Sequence, residues 1–426
     1  MPLLRRNHAA PPRKTRRDAT PRDATTSTRL TGPTATTAPT EPTEPTTLTA
    51  LTVRTELTVN IGPAVTTGST TFTAPPALAA FTAVFATVLT AVFTAVPAYA
   101  ECHCWRFVRP EGRPPDAVLT GITTPAARAA WAVGQKGGAP FALAWNGARW
   151  TETALPVPAG TTLEGVSAAT ARDAWAVGAS GGTARLARWT DGRWTPASFA
   201  GTPRAVDART PTDAWIAGSA GHRAALWRWD GSRWTPVPVD APAGSELAAV
   251  SARSADDAWA AGHAGSRPLL LRWAGGRWSA VAGSAREGTL TDVAATGPGD
   301  AWTVGATPSG TPLVERWDGR AWTAVPAPVP HGRLHAVAPD GRGGVWVAGE
   351  DATGRPLLAR RTGGAWDVSR PAVPDPSGDD PGDGAASVTS LALLPGTAKV
   401  TAAGSYGRPG DPLRHAITWT NTPRPR

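Results

Sequence analysis

Cysteine, methionine, tyrosine and lysine are all scarce in this chain. Two cysteines in 426 residues, Cys102 and Cys104, exclude a disulfide scaffold. With His103 between them they offer three ligands in three residues, which cannot close a tetrahedral metal site without a fourth. No metal or cofactor is called for. The three lysines are Lys14, Lys136 and Lys399, so arginine supplies most of the 42 basic residues, against 33 acidic ones. Of the net +9, residues 1–100 hold nine basic and five acidic residues, or +4, which leaves +5 for the rest. That remainder is spread singly rather than gathered on one face, which argues against a nucleic-acid partner. Tryptophan is missing from the first hundred residues, and all 20 lie between Trp105 and Trp419. The chain therefore divides into a Trp-free leader and one Trp-rich body long enough for a large repeat domain.

Residues 1–76 are rich in Thr, Pro and Arg and are expected to be disordered. Residues 77–100 carry an uncharged apolar run, Ala77 to Val96, ending at Pro97-Ala98-Tyr99-Ala100-Glu101. Ala98 and Ala100 form an A-x-A site, as export-signal cleavage requires. The same run is long enough to be an uncleaved membrane tether. No Lys or Arg lies between Arg54 and Arg106, so the usual basic region does not adjoin the run. Either reading places the body outside the cytoplasm, secreted or in the cell envelope.

The body, residues 101–426, is a repeat. Asp173-Ala174-Trp175-Ala176-Val177-Gly178 and Arg188-Trp189-Thr190-Asp191-Gly192-Arg193-Trp194-Thr195 recur, and the last Trp of each unit falls at 150, 194, 234, 278, 322 and 366. A period of about 44 residues is the signature of a repeat architecture. Within a unit, short strand candidates a, b, c and d are separated by turn chemistry, with Asp191-Gly192 a hairpin signal between c and d. Gly and Pro recur too often for helices. The unit reads as one four-stranded antiparallel blade of an all-β propeller. Small residues in b suit a crowded inner ring, and bulky Trp in c and d suit the wider gaps outside. Strands a, b and c occur seven times, but nothing after Trp419 makes a convincing d strand. Cys104 to Pro110 fits that pattern. The N-terminal strand around Trp105 is expected to complete the seventh blade and close the ring, with six blades or an open ring as the alternative.

The Asp-Ala-Trp-Ala-Val-Gly and Arg-Trp-Asp-Gly-Ser-Arg-Trp-Thr repeats resemble those of secreted actinobacterial β-propeller repeat proteins, over about residues 104–420. The likeness to kelch blades is looser, because their Gly-Gly after strand b does not recur. The Asp-box pattern of sialidase-like propellers is not met in full.

Residues that recur in every blade serve the blade. Asp173, Asp213, Asp257 and Asp300 are expected to cap their own tight turns, and Ala129 and Gly344 interrupt any ring of carboxylates. Function is expected where residues do not repeat, chiefly on the b–c loops at one end of the ring. The candidate ligand-binding residues there are His222, Arg223, His263, Arg267, Glu350, Asp351, Arg355 and Tyr406. No nucleophile elbow or catalytic triad order is present, and no catalytic residue is assigned. The reading is a non-catalytic binding or structural module for a protein or carbohydrate at the cell surface. The alternative is an extracellular glycoside hydrolase or lyase over the central channel, with Glu164, Glu246, Glu287 and Glu315 as non-repeated acids. Acids or arginines converging in one pocket would favour the enzyme, and a channel of backbone, Ala and Val would favour the module.

Overall fold

The computed structural model describes residues 51–61, 64–74, 104–112, 114–285, 287–374, 381–382, 385–408 and 413–422. Two compact units divide the chain, Met1–Val96 and Pro97–Arg426. In the first, Leu51–Ile61 pairs antiparallel with Ala64–Ala74. This hairpin falls inside the leader for which composition predicts disorder; its β-branched residues, among them Val53, Thr55 and Val59, favour strands. The run from Ala77 to Val96 and the A-x-A site lie outside the described residues. No helix among the described residues is long and apolar enough to cross a membrane.

The second unit is a ring of seven four-stranded antiparallel sheets. Strand a is Ala117–Ala126, Thr162–Thr170, Thr202–Thr210, Ser245–Ser254, Thr289–Gly297, Gly332–Pro339 and Ala385–Leu393 in blades 1 to 7. Strand b is Ala129–Lys136, Asp173–Ser180, Asp213–Ala220, Asp257–Ala264, Asp300–Ala306, Val345–Asp351 and Val400–Gly407. Each a strand touches the a strand of the next blade, and the seventh touches the first. Blade 7 is completed from the other end of the body: Cys104–Val108 pairs with His415–Thr422, with Phe107 opposite Trp419. The ring closes as the missing d strand predicts, and no blade is left with an open gap.

The apolar core is seven cores, one between each pair of neighbouring blades. The Trp repeats supply them. Trp175 of strand b meets Trp229 and Trp234 of the next blade at 4.9 and 5.1 Å between ring centroids. Trp215 meets Trp273 and Trp278 at the same distances, and Trp259 meets Trp317 and Trp322 at 5.1 and 4.9 Å. Edge-to-face pairs at this spacing each contribute about 0.5–1.5 kcal/mol beyond area burial.

The repeated Asp has a different role from the one its turn position predicts. Asp173 accepts hydrogen bonds from Arg188 of strand c, and Asp213 pairs with both Arg228 and Arg209. Asp257 pairs with Arg253 and Arg272, and Asp300 with Arg316. In blades 2 to 4 the strand-c Arg also lies over Trp rings of two blades, and in blade 5 Arg316 lies over Trp302. Arg188 sits 5.1 Å from Trp175 and 5.0 Å from Trp229, and Arg272 sits 5.5 Å from both Trp259 and Trp317. The Asp therefore clamps a guanidinium between the tryptophans of two blades, where cation–π attraction adds to the ion pair. The Asp-Gly turn is as expected, with Asp191 and Gly192 at φ 53° and 79°.

Candidate functional site: the mouth of the central channel

Strand a, not strand b, is innermost, and the a strands of all seven blades line a central channel of about 380 Å³. Strand b is the second strand out and is buried on both faces through its Ala-Trp-Ala-Val-Gly segment. Every a strand carries a bulge against b at the same place. In blade 1 the ladder jumps from Leu119↔Gly134 to Gly121↔Val133 and skips Thr120. The skipped residue is Glu164 in blade 2, Arg204 in blade 3 and Ala248 in blade 4. It is Thr291, His335 and Thr389 in blades 5, 6 and 7.

The glycine that ends the Asp-Ala-Trp repeat makes this bulge fit. A Cβ on Gly134, Gly178, Gly218, Gly262, Gly305, Gly349 or Gly404 would run into the carbonyl oxygen two residues before the skipped one, such as Thr162 O for Gly178. The bulge re-aims one side chain per blade, as bulges beside binding sites do. All seven skipped residues line one mouth of the channel, a cavity of about 310 Å³.

Three of the seven are threonines that tie blades together. Thr120 Oγ1 donates to the Leu163 carbonyl of blade 2 at 2.8 Å, Thr291 to the Leu334 carbonyl of blade 6 at 3.0 Å, and Thr389 to the Leu119 carbonyl of blade 1 at 2.7 Å. The other four are Glu164, Arg204, Ala248 and His335. Arg204 lies between two acids: Nη1 donates to Glu164 Oε1 at 2.8 Å and Nε to Glu246 Oε1 at 2.7 Å. The hydrogen bond that Arg204 donates to Glu246 leads the effects that raise the Arg204 pKa. In blade 6, His335 Nε2 lies 2.9 Å from Glu350, which also accepts from Ser387 Oγ of blade 7 at 2.7 Å. Burial pushes Glu350 up, but the hydrogen bonds and charge of His335 with the Ser387 hydroxyl outweigh it and hold the carboxyl below its ordinary value.

Deeper in the channel, polar side chains pin the a strands of blades 1 to 5 and 7 to a backbone N–H of the next blade. Thr123 accepts from Ala168 at 3.1 Å, Ser167 from Ala208 at 3.0 Å and Ser251 from Ala295 at 3.1 Å. At two joints the acceptor is a carboxylate: Asp207 takes the Ala252 N–H at 2.6 Å and Asp292 the Val337 N–H at 2.8 Å. Both face the channel and keep some solvent contact, yet the surrounding walls desolvate them. Burial pushes Asp207 up to about 6 and Asp292 to about 7, with the Asp207 charge adding to the second shift.

The loop residues singled out by sequence fall into three groups. His222 and His263 line a cavity beside Arg204 and Glu246, and Glu350 is brought to the mouth through His335. Arg223, Asp351 and Arg355 are taken up by nearby backbone and one ion pair: Arg223 donates to the Ala241 carbonyl on the segment leading to blade 4, and Asp351 closes its own turn by accepting from the Thr353 and Arg355 N–H groups and pairs with Arg370. Arg267 is exposed at its b–c turn and does not line the mouth. Tyr406 is not on a loop. It belongs to strand b of blade 7, is 2% exposed, and packs in the core against the His415 ring at 5.2 Å. Of the non-repeated acids, Glu164 and Glu246 converge on Arg204. Glu315 is buried and holds the Ser284–Ala285 backbone, and Glu287 is exposed. Among the described residues no group of His, Cys, Asp and Glu is arranged to hold a metal.

Loop reasoning missed Arg204, His335, Asp207 and Asp292. Their signal lies in the alignment of the repeats. The skipped residue stands fourteen positions before the strand-b glycine in blades 1 to 6 and fifteen before it in blade 7, and it varies from blade to blade.

No protein-family model matches this chain, and no curated protein matches it. Its fold is similar to many solved structures. YCF48 from Cyanidioschyzon merolae aligns with a TM-score of 0.53 at 16% identity, over 76% of this chain and 100% of that one. YCF48 has also been solved bound to a D1 peptide, with a TM-score of 0.52 at 16% identity over 75% and 96% of the two chains. Virginiamycin B lyase from Staphylococcus aureus aligns with a TM-score of 0.55 at 14% identity, over 74% and 98%. The likeness is one of fold: a seven-bladed β-propeller.

Proposed function

We propose that this chain is an exported or surface-tethered propeller that binds a protein or carbohydrate at the mouth of its channel without transforming it. The observation that carries the reading is the set Glu164, Arg204, Ala248 and His335, standing where other blades keep an inter-blade threonine. Fold-building residues repeat, so polar residues that break the repeat at a cavity point to a ligand. Export is supported by the Ala77 to Val96 run and its A-x-A site, and the likeness to secreted actinobacterial repeat proteins agrees with it. YCF48 bound to a D1 peptide is a precedent for peptide binding on this fold.

A second reading, an extracellular glycoside hydrolase or lyase, is favoured by the convergence of Glu164 and Glu246 and by the raised pKa values of Asp207 and Asp292. Virginiamycin B lyase is an enzyme on the same fold. Two features weigh against it. Glu164 and Glu246 are both engaged by one guanidinium, and Asp207 and Asp292 each hold a backbone N–H of the next blade. Peptide and glycan arrays probed with the full chain, followed by mass spectrometry of the retained ligands, separate the readings. Retention of unchanged ligand is expected, and lost in the Glu164→Thr/His335→Thr variant. A ligand whose mass changes in contact with the protein overturns the binding reading. N-terminal sequencing from medium and membrane fractions tests export, with a start at Glu101 expected for cleavage.

A further inference from the structure

The channel mouth differs in charge from the protein around it. Residues 101–426 carry +5. At the mouth, Glu164 and Glu246 face a single guanidinium, so the triad is net −1. Arg204 spends its Nε and one Nη on those two acids, which fixes both carboxylates in place. Each carboxylate is held through Oε1 only, and neither Oε2 has a protein partner among the described residues. Two oriented acceptors with residual negative charge therefore border an open cavity. Below them the channel wall carries small residues, among them Gly165, Ala205 and Ala249, together with Asp207 and Asp292, and among the described residues it carries no Lys and no Arg besides Arg204. Low-dielectric walls focus such a field.

The mouth also lacks an aromatic platform. Among the described residues, no Trp, Tyr or Phe lines the channel or its mouth, because the tryptophans are taken up between blades. A sugar ring would find hydroxyl partners here but no aromatic face to lie on.

Resting on the binding reading above, we propose that the mouth takes a basic side chain, a guanidinium or ammonium on a protruding loop or extended segment of a protein partner, held by Glu164 and Glu246. Arg204 then acts as a positioning residue that orients the two acceptors. Ala248, two residues after Glu246 on strand a of blade 4, lines the same cavity and leaves room beside that carboxylate. At two of the four blades that lack the threonine tie, the residue in its place belongs to the triad: Glu164 is one of the two acceptors and Arg204 the guanidinium that orients both.

The test uses the full chain and three blocked pentapeptides, acetyl-Gly-Gly-X-Gly-Gly-amide with X as arginine, glutamine or glutamate, together with an N-acetylglucosamine tetramer, in isothermal titration calorimetry. The arginine peptide is expected to bind at least about tenfold more tightly than the other two, which corresponds to about 1.4 kcal/mol. Glu164→Gln and Glu246→Gln should each weaken it several-fold, while Glu152→Gln, on the outer strand of blade 1, leaves it unchanged. Ala248→Arg supplies the basic group from within and should abolish binding even if a Gln variant folds poorly. Equal binding of the arginine and glutamine peptides, preference for the glutamate peptide, or no binding of any peptide overturns the proposal. Binding of the sugar tetramer that depends on Glu164 overturns the basic-group assignment but leaves the binding reading standing. Conversion of any probe overturns the binding reading itself.

Discussion

The outer frame and the inner ring of this propeller are built from the same repeat but follow opposite rules. In the frame, blade after blade sets an Asp, an Arg and Trp rings in one geometry, with Trp–Trp centroids at 4.9–5.1 Å across the joints of blades 2 to 5. At the inner ring the backbone is equally regular, with a bulge in every a strand, but the bulged side chain changes from Thr to Glu, Arg, Ala and His. A repeat protein can vary a residue freely only where that residue does not hold its neighbours. The difference separates positions that make the ring from positions that use it.

The largest effect is expected where frame and ring meet. Gly349→Ala places a Cβ against the Arg333 carbonyl oxygen, which belongs to the adjoining strand and cannot swing away. The bulge must open or the blade must shift, so a loss of about 3 kcal/mol or more is expected in urea denaturation. An unchanged midpoint would mean that the bulge relaxes at little cost and that the glycine does not enforce it.

Next comes the clamp. Asp213→Ala leaves Arg228 and Arg209 without their shared carboxylate in a largely buried setting. Burial raises the Asp213 pKa, but the two arginines outweigh it and hold the carboxyl below its ordinary value. Its contribution is therefore present above the unfolded pKa of about 4 and is lost as pH falls through the folded value. A loss of about 2 kcal/mol is expected at pH 7, below the 3–5 kcal/mol range for fully buried pairs because both arginines keep solvent contact. The same substitution should cost progressively less in melts at pH 4 and below.

The frame was legible in the sequence and the ring was not. Trp, Asp-Gly and the strand-b glycine announce themselves by recurring, and even the borrowed d strand of blade 7 follows from a Trp at the right offset, Trp105. A bulge, by contrast, inserts one residue into a strand and reverses the alternation of faces, so a period-two reading of strand a assigns Glu164 and Arg204 no face with meaning. The b–c loops drew attention instead. They and the adjoining strand ends hold His263, which lines the mouth, His222, which lines the cavity beside Arg204 and Glu246, and Glu350, which bonds His335 at the mouth, but also Asp351 and Arg355, which brace their own turn, and Tyr406, whose ring belongs to the core. Tight turns need polar residues for their own hydrogen bonds, and that need masks function.

The carboxylate pins sharpen the comparison from inside the channel. Asp207 and Asp292 do at their joints what Ser167 and Ser251 do at others, but they carry a charge that burial penalises. Their folded pKa values, about 6 and about 7, lie above the unfolded value. The folded state therefore binds protons more tightly than the unfolded one. Stability should fall as pH rises from about 4 through these folded values and level off above about 8. Asp292→Ser should flatten the upper part of that slope and stabilise the protein at pH 8 by about 1–2 kcal/mol, because channel solvent screens part of the nominal shift. Thermal melts from pH 4 to 9 check the sign, and a slope of the opposite direction would place both carboxylates in a better-solvated channel than this one.

The smallest expected effect is the most informative about purpose. Ala248 stands where Thr120, Thr291 and Thr389 each donate to a carbonyl of the following blade, and its place faces the Leu290 segment of blade 5. Ala248→Thr restores the repeat and should stabilise the ring by about 1 kcal/mol, the usual net worth of one such hydrogen bond, read as a rise in urea midpoint at unchanged slope. Glu164→Thr should do the same between blades 2 and 3 while removing an acceptor from the mouth. If the threonine variants are more stable and bind the arginine peptide less well, the mouth is a place where the fold gives up a tie for recognition, as functional sites commonly do. If they are less stable, Glu164 and Ala248 belong to the frame after all, and the division between making and using the ring has to be drawn elsewhere.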